Sequence, residues 1–82
     1  MEVVKPFNIN RFVAKGEEIY QQRLKDKLEP THYGQIVAIE VESGDYFLGE
    51  SVIEAGLKAR AKYPDKIFHF IKIGFPTVRI HR

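Results

Sequence analysis

Three carboxylates close together in the sequence, Glu40, Glu42 and Asp45, come nearest to a cation-binding pattern. A hard cation such as Ca²⁺ needs several oxygen ligands that converge on one point. Glu40 and Glu42 share one face of a predicted strand, but no further carboxylate pair is available to complete a coordination shell. We therefore predict that these side chains form the solvated outer face of a hairpin and bind no metal.

The three histidines, His32, His69 and His81, have a spacing that matches no metal-binding or acid–base motif. His69 stands out because it lies between Phe68 and Phe70 in an apolar run. No motif places a serine, cysteine or acidic residue to act with it in a proton relay, and the chain contains no cysteine. The sequence favours a structural histidine, half-buried or on an open sheet face, and a protein that is not an enzyme and uses no cofactor.

Basic residues are concentrated in the C-terminal third of the chain. Residues 1–57 hold six Lys and Arg against ten Asp and Glu, whereas residues 58–82 hold seven against one. Phe68 and Phe70 lie among these basic residues, and aromatic rings on a basic sheet can stack nucleobases. The ribonucleoprotein octamer pattern is absent, which favours a core or interface role for both rings. The candidate nucleic-acid contacts are Lys58, Lys62, Lys72, Arg79 and Arg82.

The elements that must position these side chains begin with an N-terminal helix over residues 9–28, after a flexible arm at residues 1–8. Its apolar positions recur every three or four residues, which is typical of an amphipathic helix. We expect Gly16 to loosen it. Pro30 and Gly34 predict a connector at residues 29–34. The apolar positions are Ile9, Val13, Gly16, Tyr20 and Leu24.

The rest of the chain, residues 35–82, predicts a ββαββ core. A strand at residues 36–41 is expected to turn Val37, Ile39 and Val41 towards the following helix. A hairpin centred on Ser43-Gly44 leads into a short strand at residues 46–48. Residues 67–73 are apolar on both faces, as in a central strand, and residues 77–82 alternate as an edge strand.

The segment Gly49–Pro64 predicts the central helix of this core. Ser51 and Glu54 have the spacing of a capping box, and Pro64 prevents the helix from continuing. One apolar stripe, of mostly small residues, suits close packing on a sheet. A second stripe consists of Ile53, Leu57 and Ala61, and it predicts a second neighbour, either the N-terminal helix or a partner. The alternative is one wide stripe across which Arg60 extends its charged end.

The predicted fold is α+β, a single small domain over residues 1–82 with the order α-β-β-α-β-β. The four strands form one antiparallel sheet of order 2-1-3-4, with the central helix on one face and the docking of the N-terminal helix left open. No stretch approaches the ~18 apolar residues of a membrane span, and the absence of cysteine fits a cytoplasmic location.

Short motifs spread over residues 16–75 resemble a bacterial and archaeal family of small domains of unknown function. The motifs are Gly34-Gln35-Ile36-Val37-Ala38, Gly44-Asp45-Tyr46, Tyr63-Pro64 and Lys72-Ile73-Gly74. The segment from Gly49 to Ala55 more faintly resembles the helix start of HicB-like antitoxins. These resemblances imply a β-β-α-β core and a small companion of another protein, and they imply no activity. The DNA-binding domain common in those antitoxins has no counterpart in these 82 residues.

From these observations we predict a non-catalytic protein-interaction module. Its partner is another protein or a second copy of the chain, and the candidate contacts are Ile53, Leu57 and Ala61. The alternative is a nucleic-acid-binding module that uses the basic C-terminal third.

Overall fold

The structure, a computed structural model, describes residues 8–75. A helical stretch comes first, made of α1, a π-helical turn and α2, and a sheet with one further helix follows. The bounds are α1 Ile9–Ile19, π-helix Tyr20–Leu24, α2 Lys25–His32, β1 Ile36–Ile39, β2 Tyr46–Gly49, α3 Val52–Lys62 and β3 His69–Lys72. The predicted arm covered residues 1–8, of which residues 1–7 lie outside the described residues, as does the predicted fourth strand at residues 77–82. Asn8 is described and caps α1, since its side chain accepts a hydrogen bond from the Arg11 N–H.

The three strands form an antiparallel sheet of order β2-β1-β3. The central residue Ala38 pairs with Phe47 on one side and with Phe70 on the other. This confirms the α+β class and the 2-1-3 part of the predicted strand order. The third strand is shorter than its apolar run indicated, since pairing begins only at His69.

The helices cover both faces of the sheet, so the described part of the chain has three layers. The helical stretch at residues 9–32, called the N-terminal helical layer below, packs on one face, and α3 packs on β1 and β2 from the other. The larger core cluster lies on the N-terminal side and includes Ile19, Tyr20, Leu24, Leu28, Val37, Ile39, Ile71 and Ile73. The docking of the N-terminal helix, which the sequence left open, is thereby defined.

The prediction that Val37 and Ile39 face the central helix is wrong. Both side chains are fully buried against the N-terminal helical layer, and the face towards α3 carries Ala38 instead. Ala38 meets Ala55 and Ala59, and three methyl-sized side chains let the helix backbone approach the sheet closely. Apolar residues on both faces of β1 removed the alternation that would have distinguished the two sides.

The N-terminal helical layer is longer and more regular at Gly16 than predicted. Helix α1 passes through Gly16 without a break, and α2 continues through Pro30 to His32. Contacts just before Pro30 outweigh its missing N–H, because Leu28 is buried and Glu29 accepts a 2.8 Å hydrogen bond from the Tyr20 hydroxyl. The proline preference for a helix end therefore yields to tertiary contacts.

The loosening occurs at Tyr20–Leu24, where the Lys25 N–H bonds to the Tyr20 carbonyl five residues back. Four of the buried positions along this stretch follow one another at intervals of four residues, and Ile19 is buried beside the second of them. The four positions are Gly16, Tyr20, Leu24 and Leu28. In a regular α-helix each such step rotates the side chain by about 40°, so the row drifts around the helix. A π-helical turn holds more residues per turn and brings the row back towards the sheet.

Helix α3 begins at the predicted cap. The Ser51 hydroxyl accepts a 3.1 Å hydrogen bond from the Glu54 N–H. The Glu54 carboxylate accepts from the Glu50 N–H at 2.7 Å, one residue before the partner that a standard capping box uses. No helix within residues 8–75 has the length and apolar composition needed to cross a membrane.

Candidate interaction surface

The outward face of α3 carries an apolar stripe that the described structure leaves open. Ile53 is 75% exposed and Leu57 is 65% exposed, and Ala61 is also exposed. These residues, spaced by four, are called the outer α3 stripe below. The spacing places them on one side of the helix, opposite Ala55 and Ala59, which are buried against the sheet.

The sheet packs against the other side of α3, and the N-terminal helical layer occupies the opposite face of the sheet. Of the two neighbours that the sequence allowed for the outer α3 stripe, the N-terminal helix is therefore ruled out. Exposed aliphatic side chains at adjacent turns of one helix favour a contact surface for another protein. Whether a partner covers this stripe stays a prediction.

Charged residues on α3 are distributed unevenly along the helix. Its first turn holds Glu54, with Glu50 just before it, and its last turn holds Arg60 and Lys62. Glu54 lies 3.7 Å from Lys58 in an exposed ion pair. Arg60 is exposed and has no carboxylate partner within residues 8–75. One end of the helix is thus acidic and the other basic.

Of the three carboxylates of the hairpin region, Glu42 and Asp45 are solvent-exposed as the sequence predicted, with 70% and 41% of their side chains exposed, but Glu40 is not. Glu40 is only 2% exposed, and its carboxylate accepts hydrogen bonds from the Ser43 N–H at 2.9 Å and the Glu42 N–H at 3.3 Å. Burial opposes ionisation, but these hydrogen bonds from Ser43 and Glu42 outweigh it and hold the pKa of Glu40 below its ordinary value. Glu40 therefore organises the turn from inside.

Glu42 and Asp45 are each bound to a separate partner. The Lys66 ammonium donates to Glu42 at 2.7 Å. Asp45 accepts from the Tyr63 hydroxyl and, at 3.2 Å, from the Lys62 ammonium, and these bonds lower its pKa. Within residues 8–75 no group of three or more potential metal ligands converges. The expectation of no metal site stays a prediction for the whole chain.

His69 has an acidic partner that the sequence did not reveal. Its Nε2 lies 2.9 Å from the Glu17 carboxylate, and its ring meets Phe12 edge to face, with ring centroids 6.1 Å apart. A Cβ added at Gly16 would come within 2.5 Å of the imidazole, so the missing side chain of Gly16 makes room for this ring. Glu17 is 52 residues away in sequence, and no local motif signals the pair.

The surroundings of His69 favour a structural role. Its side chain is only 11% exposed, and Glu17 is 21% exposed. Two surface grooves, of about 260 Å³ and 350 Å³, lie beside the Glu40–Asp45 turn, and His69 lines neither of them. The pair therefore ties α1 to β3.

Of the candidate nucleic-acid contacts, the described part of the chain brings together only Lys58 and Lys62, on successive turns of α3. Lys58 and Lys62 are bound to Glu54 and Asp45. Lys62 lies at the Tyr46 end of β2, whereas Lys72 pairs with Ile36 at the opposite end of the sheet. Arg79 and Arg82 lie outside the described residues.

Lys72 belongs instead to a small aromatic cluster that the sequence reading missed. Its ammonium lies 4.7 Å from the centroid of the Phe75 ring, and the Phe75 and Tyr33 rings are 5.0 Å apart. The Tyr33 ring also occupies the space that a side chain at Gly74 would need, and Gly74 has a positive φ of 87°. The two rings thus close the turn after β3.

Comparisons of the chain with protein-family models, with curated proteins and with solved structures find no match.

Proposed function

We propose that this protein is a non-catalytic interaction module that associates with a second copy of itself through the outer α3 stripe. The observation that carries the proposal is the outward direction of Ile53, Leu57 and Ala61. Two of these side chains, Ile53 and Leu57, are 75% and 65% exposed, although they lie on a helix that is fixed to the sheet on its other side.

A second copy fits this stripe because the charges on α3 complement themselves. The acidic residues before and within the first turn, Glu50 and Glu54, can lie next to the basic residues of the last turn in another copy. Arg60 is well suited to such a contact, since within residues 8–75 no carboxylate of its own chain binds it. Electrostatic complementarity of this kind favours the correct partner and the correct orientation.

The small area of the outer α3 stripe limits the expected affinity of the dimer. One three-turn helix offers less area than a standard protein–protein interface, so the contact belongs with small, transient interfaces. We expect a dissociation constant in the micromolar range or weaker, with Leu57 at the centre carrying the largest share.

The test is sedimentation equilibrium over a concentration series, on the wild type and on Leu57→Asp. The wild type is expected to shift from monomer to dimer with rising concentration, and the variant to stay monomeric. Ile67→Asp is the matched control, because Ile67 is also a 54% exposed aliphatic residue but lies off the helix. Leu57→Gln removes the apolar side chain but has a helix propensity near that of leucine. If it also abolishes association, the loss is due to the contact and not to unfolding of the helix.

A wild type that stays monomeric at every concentration would overturn the proposal, and so would association that Leu57→Asp leaves unchanged. Circular dichroism and urea unfolding establish whether the variants fold. Unfolding of both Leu57 variants would place Leu57 in the core rather than at a contact surface.

The resemblance to the family of small domains and to HicB-like antitoxins stays a prediction, as do a different protein partner and the nucleic-acid-binding alternative. The separation of Lys72 from Lys58 and Lys62 favours the proposed self-association over nucleic-acid binding.

A further inference from the structure

We infer that the two α3 helices of such a dimer pack antiparallel, with a two-fold axis at Leu57. This inference rests on the proposed self-association and adds the orientation of the copies. A two-fold interface uses the same patch on both subunits, so the patch must fit itself. The outer α3 stripe can be tested for that fit residue by residue.

The position of Leu57 provides the first argument. Helix α3 runs from Val52 to Lys62, and Leu57 is the sixth of its eleven residues. In an antiparallel pair centred there, Leu57 meets its own copy at the axis, and the two helices overlap over their full length. The same arrangement brings Ile53 to the level of Ala61 of the partner subunit, and Ala61 to the level of the partner's Ile53.

This pairing matches a large side chain with a small one at both ends of the stripe. A parallel pair would instead place Ile53 against the partner's Ile53 and Ala61 against the partner's Ala61. The helices would be held apart at one end and leave a gap at the other. Since apolar surfaces gain most from close contact without voids, the antiparallel arrangement is the better packed of the two.

The charges lead to the same orientation. Antiparallel helices place the acidic start of α3, with Glu50 and Glu54, beside the basic end of the partner helix, which carries Arg60 and Lys62. Parallel helices would place like charges together at both ends. The helix dipoles add to this preference, because antiparallel dipoles attract and side-by-side parallel dipoles repel.

Cysteine cross-linking tests the orientation directly, because the chain has no cysteine of its own. A disulfide requires the two Cα atoms to lie within about 7 Å. In the antiparallel pair, residue 53 and its own copy are separated by eight residues, or about 12 Å along the helix axes. Ile53→Cys alone is therefore expected not to cross-link, whereas it cross-links when mixed with Ala61→Cys.

The experiment compares four samples in a glutathione redox buffer, each with the full chain: Leu57→Cys, Ile53→Cys, Ala61→Cys, and an equimolar mixture of the last two. Gln21→Cys, on the exposed side of the N-terminal helical layer, measures collisional background. The expected result is a disulfide-linked dimer from Leu57→Cys and a mixed dimer from the mixture. Ile53→Cys and Ala61→Cys alone stay at background.

The outcomes separate the orientation from the proposed function. Cross-linking of Ile53→Cys to itself, with a mixture no more reactive than its components, would show a parallel pair and overturn the inference while self-association stands. Cross-linking of Leu57→Cys without any mixed dimer would also overturn it, because the axis would then have a different orientation. All samples at background, together with a monomeric wild type in sedimentation, would overturn the proposed function itself.

Discussion

The two faces of the sheet are built from different side chains. The face towards the N-terminal helical layer buries large aliphatic residues such as Val37, Ile39 and Ile73 against Tyr20, Leu24 and Leu28. The face towards α3 is lined at its centre by Ala38, Ala55 and Ala59, with aromatic rings around them. The first face therefore buries the larger aliphatic side chains, whereas the second holds a helix close to the sheet, whose outer side stays exposed in the described part of the chain.

The comparison predicts its largest effect at the centre of the first face. Ile39→Ala removes a fully buried side chain from the larger cluster and should lower the free energy of unfolding by roughly 2–5 kcal/mol. Leu57→Ala removes a 65% exposed side chain and should change the free energy by no more than about 0.5 kcal/mol.

Urea unfolding of both variants, at a concentration where the wild type is monomeric, measures the difference. If both substitutions lower the free energy of unfolding by the same amount, the division of the molecule into a stabilising face and a contact face is wrong.

A pair of glycines sharpens the comparison at intermediate size, because one faces each side of the sheet. In Gly16→Ala the new Cβ would lie 2.5 Å from the His69 ring, so we expect destabilisation of about 1–3 kcal/mol despite the better helix propensity of alanine. In Gly56→Ala the nearest atom is Phe70 Cζ at 3.4 Å, so the propensity gain of up to about 1 kcal/mol should remain.

Thermal and urea unfolding of the two variants should thus move in opposite directions. If both variants were equally more stable than the wild type, α1 would be able to move away from β3 with little loss of stability.

The smallest expected effect is a pH dependence at Tyr20, which lies on the first face. Burial, together with the nearby Glu29 carboxylate, raises the pKa of Tyr20 from 10.0 to about 12, although a hydrogen bond from the Gly74 N–H opposes the rise. Tyr20 keeps its proton in the folded state where the unfolded chain loses it. Its contribution to stability is therefore complete below pH 10 and is lost as the pH rises towards about 12.

Tyr20→Phe tests this effect, because the other three tyrosines remain in both proteins. Below pH 10 the variant should be less stable by about 1–2 kcal/mol, since the Gly74 N–H loses its partner. Above pH 10 the gap between the two proteins should narrow, as measured by urea unfolding at successive pH values. A gap that stays constant through this range would show that the Tyr20 hydroxyl titrates normally.

The parts of the fold that the sequence predicted correctly have local signals. Ser51 and Glu54 mark the start of α3, and the Glu42–Asp45 turn marks the hairpin, where Gly44 has a positive φ of 84°. What the sequence did not predict depends on contacts between distant segments. The side of β1 that faces each helix is set by the fit of Ala38 to α3, and the helix through Pro30 is held by the burial of Leu28.

The candidate sites also divide into those with a local sequence signal and those that depend on contacts between distant segments. The outer α3 stripe was visible in the sequence because residues spaced by four on one helix need only local geometry to share a face. The His69–Glu17 pair and the buried carboxylate of Glu40 were not visible, because each depends on a fold that brings polar groups together. A carboxylate before a hairpin turn has the same local pattern whether it points to water or into the turn.

The π-helical turn at Tyr20–Leu24 makes room for one residue more than a regular helix could hold between Gly16 and Leu28. Those two positions are twelve residues apart, and in a regular α-helix twelve residues would leave them about 120° apart around the axis, so that one of them would turn away from the sheet. Eleven residues make almost three whole turns of an α-helix, so a chain one residue shorter at this turn could bury both positions with a regular helix.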